Sequence, residues 1–272
     1  MSVSTWTSSL VLILFWCISG LAGMAQAQVS AQPQATNATT DPSEVRALNS
    51  VFEKWKIRAN PSQWNTTGDP CSGAAIDSSD STKIDDTGYN PFIICDCSYE
   101  SGSICHITKL KVYDLEVTGV IPDELWSLTF LTSLNLALNY LTGPLPAAIA
   151  NLTRLQYFTV GINDLSGELP KELGQLTELR SLAFGGNNFS GSLPSELGNL
   201  SKLQQLYIDS SGVSGEIPST FAKLQNLQIF WARYVELSGR IPDFIGNNWS
   251  KLTSLRLLGN SFEGPYHLHF PI

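Results

Sequence analysis

The sequence predicts an α/β solenoid: a coil of stacked repeats with a parallel β-sheet on its concave face and a disulfide-stapled cap at its N-terminal end. Three observations carry this expectation. A Gly-x-Ile/Leu-Pro phrase recurs with its glycines at Gly119, Gly143, Gly167, Gly191, Gly215 and Gly239, 24 residues apart, and Gly264-Pro265 follows one residue late. Between these phrases apolar residues fall in a fixed order, as in Leu125, Leu128, Leu131, Leu134, Leu136, Asn139 and Leu141. Four cysteines, Cys71, Cys95, Cys97 and Cys105, cluster just ahead of the array. A fixed period in this range marks stacked units rather than a globule folded round one core.

Residues 1–27 read as a secretory signal peptide. An apolar run from Leu10 to Leu21 precedes Ala25-Gln26-Ala27, a small-x-small cleavage pattern. That run is short of the roughly 20 apolar residues a membrane span needs, and no later stretch is long and apolar enough to supply one. Residues 28–40, rich in Gln, Ala, Ser and Thr, read as a flexible tail. Six N-x-Ser/Thr triplets, at Asn37, Asn65, Asn151, Asn188, Asn199 and Asn248, predict surface N-glycans on an exported chain. The net charge of −8 gives no general attraction for nucleic acid or anionic membrane.

Residues 41–105 read as the N-terminal capping domain. Asp41 fits an N-cap, Pro42 the first helical position and Glu44 the third residue of a capping box. Val45, Leu48, Phe52 and Trp55 then share one helical face, and Asn60-Pro61 ends the pattern. The irregular stretch that follows includes Trp64 and a polar insert with Asp77, Asp80, Asp85 and Asp86. Their spacing fits no calcium loop, so they are read as solvated. Four cysteines in an exported chain imply two disulfides rather than a zinc site, since Cys95-x-Cys97 lacks the usual ligand gap. Cys17 leaves with the signal. Of three possible pairings, Cys95 with Cys97 is disfavoured by proximity, and Cys71–Cys95 with Cys97–Cys105 is the expectation adopted.

Residues 106–264 hold about six to seven repeats. Apolar spacing by three predicts a tight helical or extended turn, and spacing by two at Leu134-x-Leu136 a short strand. Asn139, Asn163, Asn187 and Asn260 recur just after the strands. A buried amide at such a corner can donate and accept, satisfying backbone groups and linking to the next repeat. Ser211 and Val235 interrupt this series, and local distortion is expected at the fifth repeat. The phrase glycines suit positive φ, and each proline starts the next rising segment.

The Leu-x-Gly-x-Ile-Pro ending and 24-residue period resemble leucine-rich repeats of the plant extracellular type. That resemblance implies a plant-type leucine-rich-repeat superhelix with an added short strand near the Gly-Pro phrase. Stretches 106–113, 138–143, 161–167, 206–212 and 241–246, with the Cys-Asp-Cys segment, are similar to one group. This is the plant leucine-rich-repeat receptor-like Ser/Thr kinases with an extracellular malectin-like domain. Members of that group continue into further repeats, a malectin-like domain, one membrane span and a cytoplasmic kinase. None of these follows here: residues 265–272 read as an uncapped tail, suggesting a truncated product, splice form or gene model of an ectodomain.

No catalytic motif, cofactor motif or kinase signature is present, so no enzyme activity is expected of this chain, and no cofactor or metal. His106 is read as structural, and His267 with His269 as an unpatterned tail rather than a metal clip. Binding is the expectation. Strand-flanking residues line up on the concave sheet in rows about 4.8 Å apart. Lys109, Lys111 and Tyr113 come first, and Ser181, Ala183 and Gly185 form a small-residue trough. The face then becomes rich in interface-type side chains. Tyr207, Asp209, Trp231, Arg233, Tyr234 and Arg256 are the candidate ligand-binding residues; the alternative for Trp231 and Tyr234 is packing against their neighbours where the asparagine series fails. The expected partner is a peptide, glycan or protein ligand, or a co-receptor ectodomain. It would be met in the apoplast or, for full-length relatives, at the outer face of the plasma membrane. A secreted inhibitor or decoy is the alternative reading.

Overall fold

The computed structural model describes residues 38–59, 61, 68–76 and 89–264. The signal peptide, Asn37, Trp64, Asn65, Asp77, Asp80, Asp85, Asp86, His267 and His269 lie outside the described residues.

The cap is built on helix α1, Pro42–Trp55. Asp41 caps it, accepting the Ser43 and Glu44 backbone N–H groups at 2.8 and 3.3 Å. The helix stops at Lys56, which turns left-handed at φ 56°, before Asn60-Pro61 is reached. Its buried face, Ala47, Leu48, Val51, Phe52 and Trp55, covers the first coil. Glu44 does not close a capping box. It is buried and turns to the first repeat strand instead, accepting from the Ile107 N–H at 2.7 Å and contacting His106 Nδ1 at 2.9 Å. Burial raises its pKa, against the opposing hydrogen bonds from Ile107 and His106. Two strands, β1 (Thr39–Thr40) and β2 (Phe92–Tyr99), flank β3 (Ile104–Lys111), so Thr39 and Thr40, read in sequence as part of a tail over residues 28–40, belong to the sheet. The disulfides are Cys71–Cys95 and Cys97–Cys105, the pairing expected.

The array beyond is a leucine-rich-repeat solenoid. Its concave sheet continues from β3 through β5 (Ser133–Asn135), β7 (Tyr157–Thr159), β9 (Ser181–Ala183), β11 (Gln205–Tyr207), β13 (Ile229–Trp231) and β15 (Ser254–Arg256). All these neighbours are parallel and pair in register with the repeat, as in Tyr157 with Ser181 and Tyr207 with Trp231. Each strand's central residue points inward: Leu134, Phe158, Leu182, Leu206 and Phe230 are buried. On the convex side the prolines Pro122, Pro146, Pro170, Pro194 and Pro218 each introduce a five-residue 3-10 turn. The repeat with the extra residue differs. There the convex turn is helix α2, Phe244–Asn247, and the register step from Trp231 to Arg256 becomes 25.

A second set of short strands forms along one flank, as the family resemblance implied. Strands β4 (Thr118–Val120), β6 (Tyr140–Gly143), β8 (Asp164–Glu168) and β10 (Asn188–Ser190) make one parallel sheet. Strands β12 (Ser214–Gly215), β14 (Glu236–Gly239) and β16 (Ser261–Phe262) make another. The outer edge of β4 is met by the cap: Trp55 Nε1 donates to the Val120 carbonyl at 3.2 Å.

The asparagine corners satisfy buried backbone groups as anticipated, but they link to the preceding repeat rather than the next one. Asn163 Oδ1 accepts the Leu141 N–H at 3.0 Å, while Nδ2 donates to the Leu136 and Val160 carbonyls, both at 3.0 Å. Asn139, Asn187 and Asn260 make equivalent bonds. The residue before each corner position is left-handed whatever its type: Leu138, Ile162, Gly186, Ser210, Tyr234 and Gly259 all have positive φ. The discontinuity appears at Ser211 rather than at Val235. Val235 is buried in the core, and β14 pairs on both sides. At Ser211 a backbone carbonyl replaces the amide, accepting the Phe189 N–H at 2.9 Å. Gly212, at φ 86°, provides the turn that aims this carbonyl. A Cβ there would sit 2.3 Å from the Phe189 oxygen, so no other residue fits.

Candidate functional site

The candidate residues come from three neighbouring strands and the corners after them. Alternation on β11 and β13 puts Leu206 and Phe230 inward, leaving Tyr207 and Trp231 on the concave face. The two rings meet edge to face, with centroids 5.0 Å apart. Trp231 is held further by its indole N–H, which donates to Ser254 Oγ at 2.8 Å. The Arg256 guanidinium lies 3.7 Å from the Trp231 ring centroid. Tyr207, Trp231 and Ala183 therefore form a small apolar cluster on the concave face, with Ile229 packed beside it.

Asp209 and Arg233 occupy the same row one repeat apart. Asp209 Oδ2 accepts from Arg233 Nε and Nη2 at 3.0 and 2.8 Å, and Oδ1 accepts the Arg233 backbone N–H at 2.6 Å. Three bonds on one carboxylate fix both the side chain and the corner. Tyr234, in contrast, is 62 % exposed. It stands at a left-handed corner, and its ring lies across Gly259, where a Cβ would come within 2.4 Å of Tyr234 Cδ1.

All six candidates thus lie on β11, β13, β15 and their adjoining corners. Their exposure differs from the expectation of open anchors, because Tyr207 is 7 % and Trp231 8 % exposed: the two rings cover each other, and Arg256 lies over Trp231. Polar groups available at the surface are therefore Arg256, the outer edge of the Asp209–Arg233 pair and the Tyr234 hydroxyl. The small-residue trough also has a packing cause. A Cβ on Gly185 would meet the Asp209 carbonyl oxygen at 2.6 Å, so the glycine is required by the next strand. At the other end of the sheet, Lys111 is buried, and Tyr113 is bracketed through its backbone by Asn90, whose Oδ1 accepts the Tyr113 N–H at 3.1 Å. Burial raises the Tyr113 phenol pKa.

Two features escaped the sequence reading. Ser254 orients Trp231, and a second row, His106, Phe130 and Arg154, stacks at the N-terminal ends of the concave strands. His106 and Phe130 are parallel at 3.5 Å, and Arg154 lies 4.1 Å from the Phe130 centroid. Tyr99 closes this group, its hydroxyl bonded to Arg154 Nη1 at 2.9 Å. The signal available was the 24-residue spacing itself, which places such residues in one column. Of the sequons, Asn151, Asn188, Asn199 and Asn248 are exposed, and none lies on a concave strand. Among the described residues no helix is long and apolar enough to cross a membrane, and no group of three or more His, Cys, Asp or Glu is arranged to hold a metal.

Known proteins agree with this architecture. The model of the family described as Leucine Rich Repeat matches residues 130–152 and 178–200. Two Arabidopsis thaliana proteins named "Probable LRR receptor-like serine/threonine-protein kinase" are 54 % and 52 % identical over 123 residues, 45 % of this chain and 11 % of each relative. The matched region thus spans about a ninth of the length of these relatives. Among solved structures, a Pollen Receptor Kinase 3 aligns with TM-score 0.61 and 23 % identity, over 81 % of this chain and 99 % of that one. A PEPR1–AtPEP1 structure aligns with TM-score 0.59 and 24 % identity, over 82 % of this chain and 32 % of that one. These two share the fold. The homologues of this chain are plant leucine-rich-repeat receptor-like Ser/Thr kinases.

Proposed function

We propose that this chain is an extracellular recognition module of a plant receptor-like kinase of the malectin-like-domain subgroup, binding a peptide, glycan or co-receptor ectodomain for cell-surface signalling. The observation that supports it is the concentration of interface-type side chains on β11, β13 and β15. They combine a locked aromatic pair, a cation stacked on it and a fixed ion pair. Such groups are ordered before any partner arrives, so little conformational entropy is lost on binding. Disulfides and exposed sequons suit an extracellular setting. Phosphotransfer, where the parent protein has it, belongs to sequence outside these 272 residues, which carry no kinase motif.

The test is retention of apoplastic ligands and co-receptor ectodomains on the immobilised glycoprotein, compared with an Arg256→Ala/Tyr234→Ala variant. These two changes leave Tyr207 against Trp231 and Asp209 on Arg233 intact. The variant is expected to keep its near-UV circular dichroism and lose at least about tenfold in affinity. Equal retention by wild type and variant would remove the concave site from consideration. Trp231→Ala serves as a second variant, because truncating a packed ring removes both area and the Arg256 platform.

A further inference from the structure

We propose that the array contains a built-in hinge between β10 and β12, about which two blocks of repeats bend. The concave sheet is its pivot. Strands β9, β11 and β13 remain paired there through three residue pairs at each step. On the opposite flank the second sheet divides at this place. Strands β4 to β10 form one sheet and β12 to β16 lie beyond it, and among the described residues one Ser192–Ser214 bridge links β10's repeat to β12.

The cause lies at the corner positions. Asn139, Asn163 and Asn187 each tie a repeat to its predecessor through both amide atoms. Ser211 and Val235 supply no such link, and the series resumes at Asn260. Ser211 is fully buried, and its hydroxyl finds no hydrogen-bond partner among the described residues. The flank is held closed by the Phe189 N–H on the Ser211 carbonyl at 2.9 Å and by Ser214, whose N–H and hydroxyl both donate to the Gly191 carbonyl at 2.8 and 3.3 Å. A solenoid transmits stiffness only through contacts between neighbouring repeats. Strong pairing on one face and weak pairing on the other gives bending about the strong face.

The position has a consequence for the concave surface. Tyr207, Asp209, Trp231, Arg233 and Arg256 all lie in the C-terminal block, and Ser181 and Ala183 in the N-terminal one. Bending changes the angle between these two parts, so a ligand touching both selects one bend from the ensemble. The hinge itself rests on the hydrogen-bond pattern and not on the identity of any ligand.

Amide hydrogen exchange on the intact glycoprotein tests the proposal. Amides at 188–192 and 213–216 are expected to exchange about tenfold or more faster than those at 140–143 and 164–168. Ser211→Asn, with Gly212 kept, adds an amide at this corner and is expected to slow the hinge amides towards the rates at β6 and β8. Ser192→Cys with Ser214→Cys locks the bridging pair and is expected to do the same if the first variant fails to fold. Uniform exchange across both flank sheets in the wild type overturns the hinge. So does unchanged exchange at 188–192 and 213–216 in a folded variant of either kind.

Discussion

Gly212 is the residue on which the irregular corner depends. Its φ of 86° lets Ser211 turn its carbonyl inward, and an added methyl would meet the Phe189 oxygen at 2.3 Å. Gly212→Ala is therefore expected to lower stability by about 2–3 kcal/mol, since backbone strain and the lost Phe189 bond act together. Equilibrium urea unfolding measures it. Glu44 offers a pH dependence. Burial raises its pKa above 4.5, with His106 and Asp41 as its charged neighbours. A carboxyl with a raised folded pKa stabilises the fold most below its unfolded pKa, and that contribution is lost as pH rises through the folded value. Stability of the wild type relative to Glu44→Gln should accordingly decline as pH rises from the ordinary carboxylate range through the raised Glu44 value, read from denaturation midpoints in a pH series.

At the scale of the element, the asparagine corner is the unit that joins one coil to the next. Asn163 satisfies the Leu141 N–H and two carbonyls within the core. Asn163→Ala leaves those groups buried without partners, at an expected cost of about 2–4 kcal/mol, and calorimetry should show a lower melting temperature. Asn187→Ala should behave alike, whereas Ser211→Ala should cost little, because the Ser211 hydroxyl holds no bond among the described residues. The contrast separates a general polar effect from the corner geometry. The cap is a second such unit. Its helix is tied to the array by Glu44 on Ile107, Trp55 on Val120 and the Lys54–Glu124 pair at 2.6 Å. Replacing Cys71 and Cys95 by Ser removes the link between the segment ahead of the 3-10 turn Gly73–Ala75 and strand β2 and should cost about 2–4 kcal/mol.

Over the whole molecule, the sequence determined the coil. The 24-residue period, the inward leucines, the glycines at positive φ and the corner asparagines were legible because each obeys a local rule that repeats in every turn. The helix start at Asp41 was legible for the same reason, since capping involves only neighbouring residues. The six candidate residues could be placed on one face from strand alternation and the period alone. What those side chains do to each other was decided only by tertiary packing. Trp231 reads in sequence either as an interface anchor or as a ring packed against its neighbours, and only the structure shows Tyr207 and Arg256 covering it from adjacent strands. Glu44 reads as a capping-box residue, yet it leaves its own helix for a strand 63 residues away. Ser211 and Val235 both read as breaks in the corner series, yet the second sheet divides at Ser211 alone, where a backbone carbonyl takes over from the missing amide. Local pattern thus specifies which backbone path each repeat takes. Exposure, ion pairing and the placement of the break depend on distances between repeats, and those exist only once the coil has closed on itself.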